Sequence, residues 1–154
     1  MDPCQRVLVV DAGTGFYRIQ RYPLGGLFGP VDLGLHLAGR YRSLNIGAGL
    51  FAGSIFPGSN RLVLSGFSPC WGGFFVSSMG GAALVFDNLG LSMVAIMGRA
   101  PVPSILVLNR SHGEEVEVAV EPVGDLEQVW RAEPGGVYAL MRVALDRCGD
   151  RFAT

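Results

Sequence analysis

The sequence predicts an α+β fold made mainly of antiparallel strands, and three observations carry that expectation. Apolar runs of strand length recur along the chain, at Arg6–Val10, Met93–Met97 and Ile105–Leu108 among others. Helical segments fall between such runs at irregular intervals, without the regular strand–helix alternation of a doubly wound sheet. The opening run is followed by Asp11-Ala-Gly-Thr-Gly15 and a second extended segment through Phe16, Ile19 and Tyr22, the pattern of a β-hairpin. At 154 residues the chain has the length of one ordinary domain, expected to span residues 1–154.

After the hairpin, Pro23–Pro30 reads as a Gly/Pro loop. Leu33, Leu35, Leu37 and Tyr41 then give an amphipathic helix from about Val31 to Arg42, with Asp32 placed as its N-cap. Leu44–Phe56 mixes small and apolar residues without a clear period. Pro57-Gly58-Ser59-Asn60 is a turn leading into a strand at Arg61–Ser65, and Phe74–Val76 is a further strand. Gly80-Gly81 is expected to open a short helix that stops at Asn88-Leu-Gly90, a glycine in the position that commonly ends a helix.

Glu115, Glu117 and Glu121 alternate with Val116, Val118 and Val120, as in a strand with one wet face. Asp125–Arg131 and Pro134–Arg147 read as closing helices, the second with Pro134 near its first turn and Gly149 just past its end.

Composition narrows the chemistry. All 12 basic residues are arginine, which excludes a Schiff-base lysine and the lysine of a P-loop or kinase site. Net charge is −1, which gives no overall attraction for nucleic acid. The charge is uneven, however: from Leu33 to His112 five arginines (Arg40, Arg42, Arg61, Arg99, Arg110) face the single acid Asp87, a mildly positive zone suited to an anionic ligand. Hydrophobic residues make up 49% of the chain and charged ones 16%, so part of the apolar surface is expected to meet a partner, and an oligomer stays open. Leu62–Phe86 lacks charge, yet its Pro69, five glycines and four serines argue against a membrane span. Cys4, Cys70 and Cys148 form no disulfide framework and no C-x-x-C pair, and the N-terminus lacks the pattern of a secretory signal; a cytoplasmic, reducing setting is expected.

No serine-nucleophile elbow is present, since Gly66-Phe67-Ser68 and Gly90-Leu91-Ser92 lack the closing glycine. His36 and His112 stand in no motif, and no spacing of His and Cys suits a metal held by this chain. The informative stretch is Arg61–Gly81, where one arginine in a charge-poor region accompanies Ser77, Ser78 and paired glycines at an expected helix start. Such N–H groups can hold an anion and such glycines can admit a flat ligand. On residue types alone the simpler reading is that Gly80-Gly81 serves close helix–sheet packing, with Arg61 capping a loop.

An ordered set of motifs adds to this reading: Arg6-Val7-Leu8-Val9-Val10-Asp11 to Gly15, then Pro57-Gly58-Ser59-Asn60-Arg61, Ser68-Pro69 and Gly72, Ser78-Met79-Gly80-Gly81, Gly90, and Val94-Ala-Ile-Met-Gly98-Arg-Ala100. In order and spacing it resembles the N-terminal domain of the tungsten-containing aldehyde ferredoxin oxidoreductase family, over about residues 6–110 and more loosely beyond. The resemblance implies an α+β domain forming the base on which a tungsten (or molybdenum) bis-pterin cofactor lies. Arg61 would meet phosphate charge, Gly80 and Gly81 would give N–H groups and close approach, and Ser78 would make a polar contact. Ser78 stands where the family has asparagine, near a magnesium ion that bridges the two pterins, and Met79 replaces a small polar residue.

The same resemblance places the iron–sulfur cysteines, further pterin-binding segments and the substrate channel C-terminal to these motifs. No iron–sulfur ligands are expected in this chain. It would act with C-terminal domains or a separate subunit of the same enzyme, reach ferredoxin only indirectly, contribute no catalytic residue, and be inactive alone. An alternative stays open, a non-catalytic interaction subunit that keeps the fold without the cofactor.

Overall fold

The computed structural model describes residues 4–110, 115–132 and 135–149. It divides into two compact units, Met1–Arg99 and Ala100–Thr154. Mixed α+β architecture with mainly antiparallel pairing holds throughout, as expected from the sequence.

The first unit is a six-stranded sheet in the order β2-β1-β6-β3-β4-β5. Its strands are β1 (Cys4–Asp11), β2 (Tyr17–Pro23), β3 (Leu44–Ala48), β4 (Leu62–Phe67), β5 (Phe74–Met79) and β6 (Met93–Met97). Every neighbouring pair is antiparallel except β1–β6. The hairpin β1–β2 forms as expected, and β2 and β5 are the two edges.

Helix α1 (Pro30–Tyr41) covers one face of this sheet. Its Leu33 and Leu37 pack with Val7 and Val9 of β1 and Met93 and Ala95 of β6, all at most 4% exposed, and Tyr22, Leu27, Tyr41 and Met97 close over them. Each fully buried aliphatic side chain there contributes about 1.5–3 kcal/mol of transfer free energy. The helix begins one residue before the expected Val31, and Asp32 is not its N-cap. Gly29 is the N-cap and Pro30 occupies N1, so Asp32 falls at N3 and reaches back to accept the N–H groups of Phe28 (2.6 Å) and Gly29 (2.8 Å). Burial pushes its carboxyl up, but the backbone N–H donors of Phe28, Gly29 and Leu33 outweigh burial and hold it below the usual carboxylate range. Arg42 ends the helix in the left-handed conformation (φ 54°), its N–H bonded to the Ala38 carbonyl and its guanidinium 4.9 Å from the Phe67 ring centre.

Strand β3, hidden in the unpatterned Leu44–Phe56 stretch, lies between β6 and β4. Its inward positions are Asn45 and Gly47 rather than aliphatic residues, because α1 passes close above: Asn45 Nδ2 donates to the Gly34 carbonyl at 3.1 Å, and Ser43 Oγ donates to Asn45 Oδ1 at 2.8 Å. Strand β4 starts one residue later than expected, leaving Arg61 just outside it, and β5 runs on through Ser77 and Ser78 to Met79. The short helix α2 (Ala83–Asp87) follows, and Gly90 (φ 62°) turns the chain after it with its N–H on the Asp87 carbonyl at 2.8 Å. The uncharged Leu62–Phe86 stretch is thus two strands and the start of a five-residue helix, and no helix among the described residues is long and apolar enough to cross a membrane.

The second unit pairs β7 (Ser104–Asn109) with β8 (Glu117–Pro122) in an antiparallel two-stranded sheet, followed by α3 (Leu126–Arg131) and α4 (Val137–Cys148). Asp125 caps α3, its carboxylate accepting the Gln128 N–H at 3.0 Å. Helix α4 has Gly136 as N-cap and Gly149 just past its end; Pro134 and His112 lie outside the described residues.

Candidate functional site

Antiparallel register builds the site from the strand ends. Within β4–β5 the outermost partners are Leu62 and Met79, and next to them Val63 faces Ser78. Arg61 therefore leaves the start of β4 beside the point where Gly80 leaves the end of β5. All four residues singled out from the sequence, Arg61, Ser78, Gly80 and Gly81, gather at this one end of an edge hairpin, and all four are exposed.

The helix start expected at Gly80-Gly81 lies further along the chain. Ser77 and Ser78 are strand residues, and α2 opens only at Ala83, behind Ala82 as N-cap and with no side-chain cap. Gly80 and Gly81 thus precede the helix instead of forming its first turn. Close helix–sheet packing does not explain them either. A Cβ built on Gly80 or Gly81 would meet no atom of the chain within 4 Å, and neither glycine has the left-handed backbone that only glycine adopts comfortably. By contrast, Gly47 is held by its surroundings, since a Cβ there would lie 3.0 Å from the Ser92 carbonyl oxygen and 3.1 Å from Pro30 Cβ. The glycine pair leaves bare backbone facing open space at the strand end where Arg61 enters β4, a surface suited to a flat, anionic group.

Beside this corner runs the loop of residues 49–60, expected from the sequence as small and apolar residues followed by a turn. It carries an apolar rim, Phe51, Ile55 and Phe56, with Ile55 97% exposed and the two phenyl rings edge to face at 5.1 Å. Asn60 closes it: its Oδ1 accepts the Gly53 N–H at 2.9 Å, and its backbone carbonyl accepts the Ala83 N–H at 3.4 Å. This is a residue that sequence reasoning missed, and the signal available was only an asparagine at the end of a Pro-Gly-Ser turn.

Elsewhere the chemistry is sparse. His36 lies exposed on α1 against the Tyr22 ring at 6.0 Å, and the cysteines Cys4, Cys70 and Cys148 are free thiols. Among the described residues no three His, Cys, Asp or Glu side chains come together as a metal site. In the second unit a cavity of about 440 Å³ is walled by Ile105, Val123, Leu140, Met141 and Ala144, and its one hydroxyl, Ser104 Oγ, is engaged with the Val102 carbonyl at 2.9 Å. That cavity offers no acid, base or nucleophile.

Residues 27–149 match the family described as aldehyde ferredoxin oxidoreductase, N-terminal domain. The chain belongs to that family. Among curated proteins, the glyceraldehyde-3-phosphate:ferredoxin oxidoreductase of Pyrococcus furiosus is 42% identical to it over 111 residues, 69% of this chain and 17% of that protein. An uncharacterised protein of Methanocaldococcus jannaschii is 50% identical over 60 residues, 38% of this chain and 10% of that protein. This aldehyde ferredoxin oxidoreductase N-terminal domain therefore spans less than a fifth of the length of the curated relatives it matches. Among solved structures, the active-site complex BamBC of benzoyl-coenzyme A reductase, determined with 1,5-dienoyl-CoA, superposes with a TM-score of 0.77 at 18% identity, over 95% of this chain and 23% of that chain. At that identity the likeness concerns the fold. Family membership makes the chain a domain of an oxidoreductase family.

Proposed function

We propose that this domain cradles a tungsten (or molybdenum) bis-pterin at the β4–β5 corner, as part of an aldehyde:ferredoxin oxidoreductase-like enzyme. What supports the reading most is the pair Gly80–Gly81, which neither backbone conformation nor packing within the chain requires to be glycine, set beside Arg61 at an open edge. Arg61 supplies a fixed positive charge for a phosphate group, a role in which a planar guanidinium can give two parallel hydrogen bonds. Gly80 and Gly81 let the flat rings reach the backbone and offer N–H donors. Ser78, on the strand opposite Val63, gives a hydroxyl of shorter reach than asparagine. Bound there, the group supplies the two-electron redox chemistry that converts an aldehyde to a carboxylic acid.

The chain's own residues bind and orient; they take no proton and form no covalent bond to substrate. Iron–sulfur relay and substrate channel then belong to companion C-terminal domains or a separate subunit, which pass electrons to ferredoxin in the cytoplasm. The test is metal and pterin analysis of the complete enzyme, purified anaerobically with its companion domains, as wild type and as Arg61→Ala. Loss of most tungsten or molybdenum and pterin from the variant is the expected result, and unchanged content removes Arg61 from the site. A folded wild-type complex holding neither metal nor pterin overturns the reading in favour of an interaction subunit.

A further inference from the structure

Asn60 links the loop before the corner to the start of α2 after it. Its side chain spans the base of the 53–60 loop through the Gly53 N–H (2.9 Å), its carbonyl takes the Ala83 N–H (3.4 Å) immediately after Gly80-Gly81-Ala82, and its own peptide bond leads into Arg61. Gly53, at the far end of the side-chain bond, has φ 77° and is packed on α2, where a Cβ would lie 3.4 Å from Asp87 Oδ2 and 3.6 Å from Leu84 Cδ1. The loop's other hydrogen bonds are short-range ones that shape the loop itself: Ala52 N–H to Gly49, Ser54 N–H to Phe51, Phe56 N–H to Ser54 Oγ, and Ser59 N–H and Oγ to Phe56.

From this geometry we infer that Asn60 is a positioning residue, which fixes Arg61 and the Gly80–Gly81 backbone relative to one another and holds the Phe51–Phe56 rim against the same corner. It acts through its neighbours and makes no contact with a reacting group. The chemistry needed at the side chain is a hydrogen-bond acceptor of one-carbon reach: aspartate supplies the same oxygen, alanine supplies none, and glutamine places it one methylene too far. The inference rests on the cofactor reading above for its functional part, while its structural part stands independently of it.

Two measurements separate these parts. Amide hydrogen exchange on the complete enzyme reports the Gly53 and Ala83 N–H groups directly. Asn60→Ala is expected to lose protection at Gly53 by about fivefold, the scale of one net hydrogen bond, and at Ala83 by less, since alanine keeps the backbone carbonyl that Ala83 binds, whereas Asn60→Asp keeps both. Equal protection in wild type and Asn60→Ala overturns the clamp. In the same preparations tungsten or molybdenum and pterin content is expected to fall several-fold in Asn60→Ala and to recover in Asn60→Asp. If Arg61→Ala loses the cofactor while Asn60→Ala retains it in full, the positioning role is wrong and the site is right. If neither variant changes the content although exchange shows the clamp broken, the cofactor reading itself fails.

Discussion

Gly34 of α1 rests so close to Ser65 of β4 that a Cβ built on the glycine would stand 2.1 Å from the serine Oγ and 3.3 Å from its Cβ. Ser65 is 3% exposed, and its Oγ has no hydrogen-bond partner among the described residues. Gly34→Ala is therefore expected to cost about 1–3 kcal/mol by overpacking. Ser65→Ala is expected to be close to neutral or slightly stabilising, because it removes a buried hydroxyl that gains nothing. The double variant should recover much of the loss, since the nearest clash is with the hydroxyl oxygen. Denaturant unfolding of the four proteins gives the coupling between the two positions; simple additivity would show that the helix shifts away from β4 instead.

Asp32 gives a pH-dependent contribution with a definite sign. Its folded-state carboxyl is held below the usual range by the N–H groups of Phe28, Gly29 and Leu33, so the stability it adds is fully present above the unfolded pKa and is lost as pH falls through the lower folded one. Asp32→Ala is expected to lower stability by about 1 kcal/mol near neutral pH, as for other residues that satisfy a helix N-terminus. The difference from wild type should shrink on acidification through the carboxylate range. A thermal unfolding series from pH 7 downward tests this, and a gap that stays constant with pH would show that the carboxylate charge plays no part.

How much of this was legible in the sequence depended on whether a segment's local chemistry matched its tertiary role. Met93–Met97 was readable to the residue because a buried central strand needs little beyond an apolar run. The helix expected over Asp125–Arg131 formed with Asp125 as its cap instead of its first helical residue, and there the capping group is a side chain that the sequence does display. Asp32 was misplaced because the true N-cap, Gly29, has no side chain to announce it. β3 escaped notice because Asn45 and Gly47, its inward residues, answer to the passage of α1 overhead, and nothing in five residues of local sequence records that helix.

At the candidate corner the sequence-level misreading concerned the element. Arg61, Ser78, Gly80 and Gly81 were singled out together, and the β4–β5 register brings them to one end. Ser77-Ser78 followed by two glycines reads locally as the approach to a helix, yet pairing with Val63 and Leu64 draws both serines into an edge strand. Asn60 could not be found without the fold, since its two partners lie seven residues back and beyond the two strands β4 and β5.

The glycine pair gives the prediction that best divides fold from function. Because a Cβ at Gly80 or Gly81 meets open space and neither residue has positive φ, Gly80→Ala and Gly81→Ala should leave the fold intact, and restricting the unfolded chain should raise stability by about 0.4–1 kcal/mol each. If bare backbone is needed for a flat ligand to approach, the same variants should lose tungsten or molybdenum and pterin in the complete enzyme, with valine at either position worse than alanine. Unfolding midpoints and cofactor content measured on the same preparations decide the matter. Stability unchanged or raised with the cofactor lost places the ligand on the glycines. Retention of full cofactor in both alanine variants and both valine variants would mean that the open space at Gly80–Gly81 serves something other than the pterin.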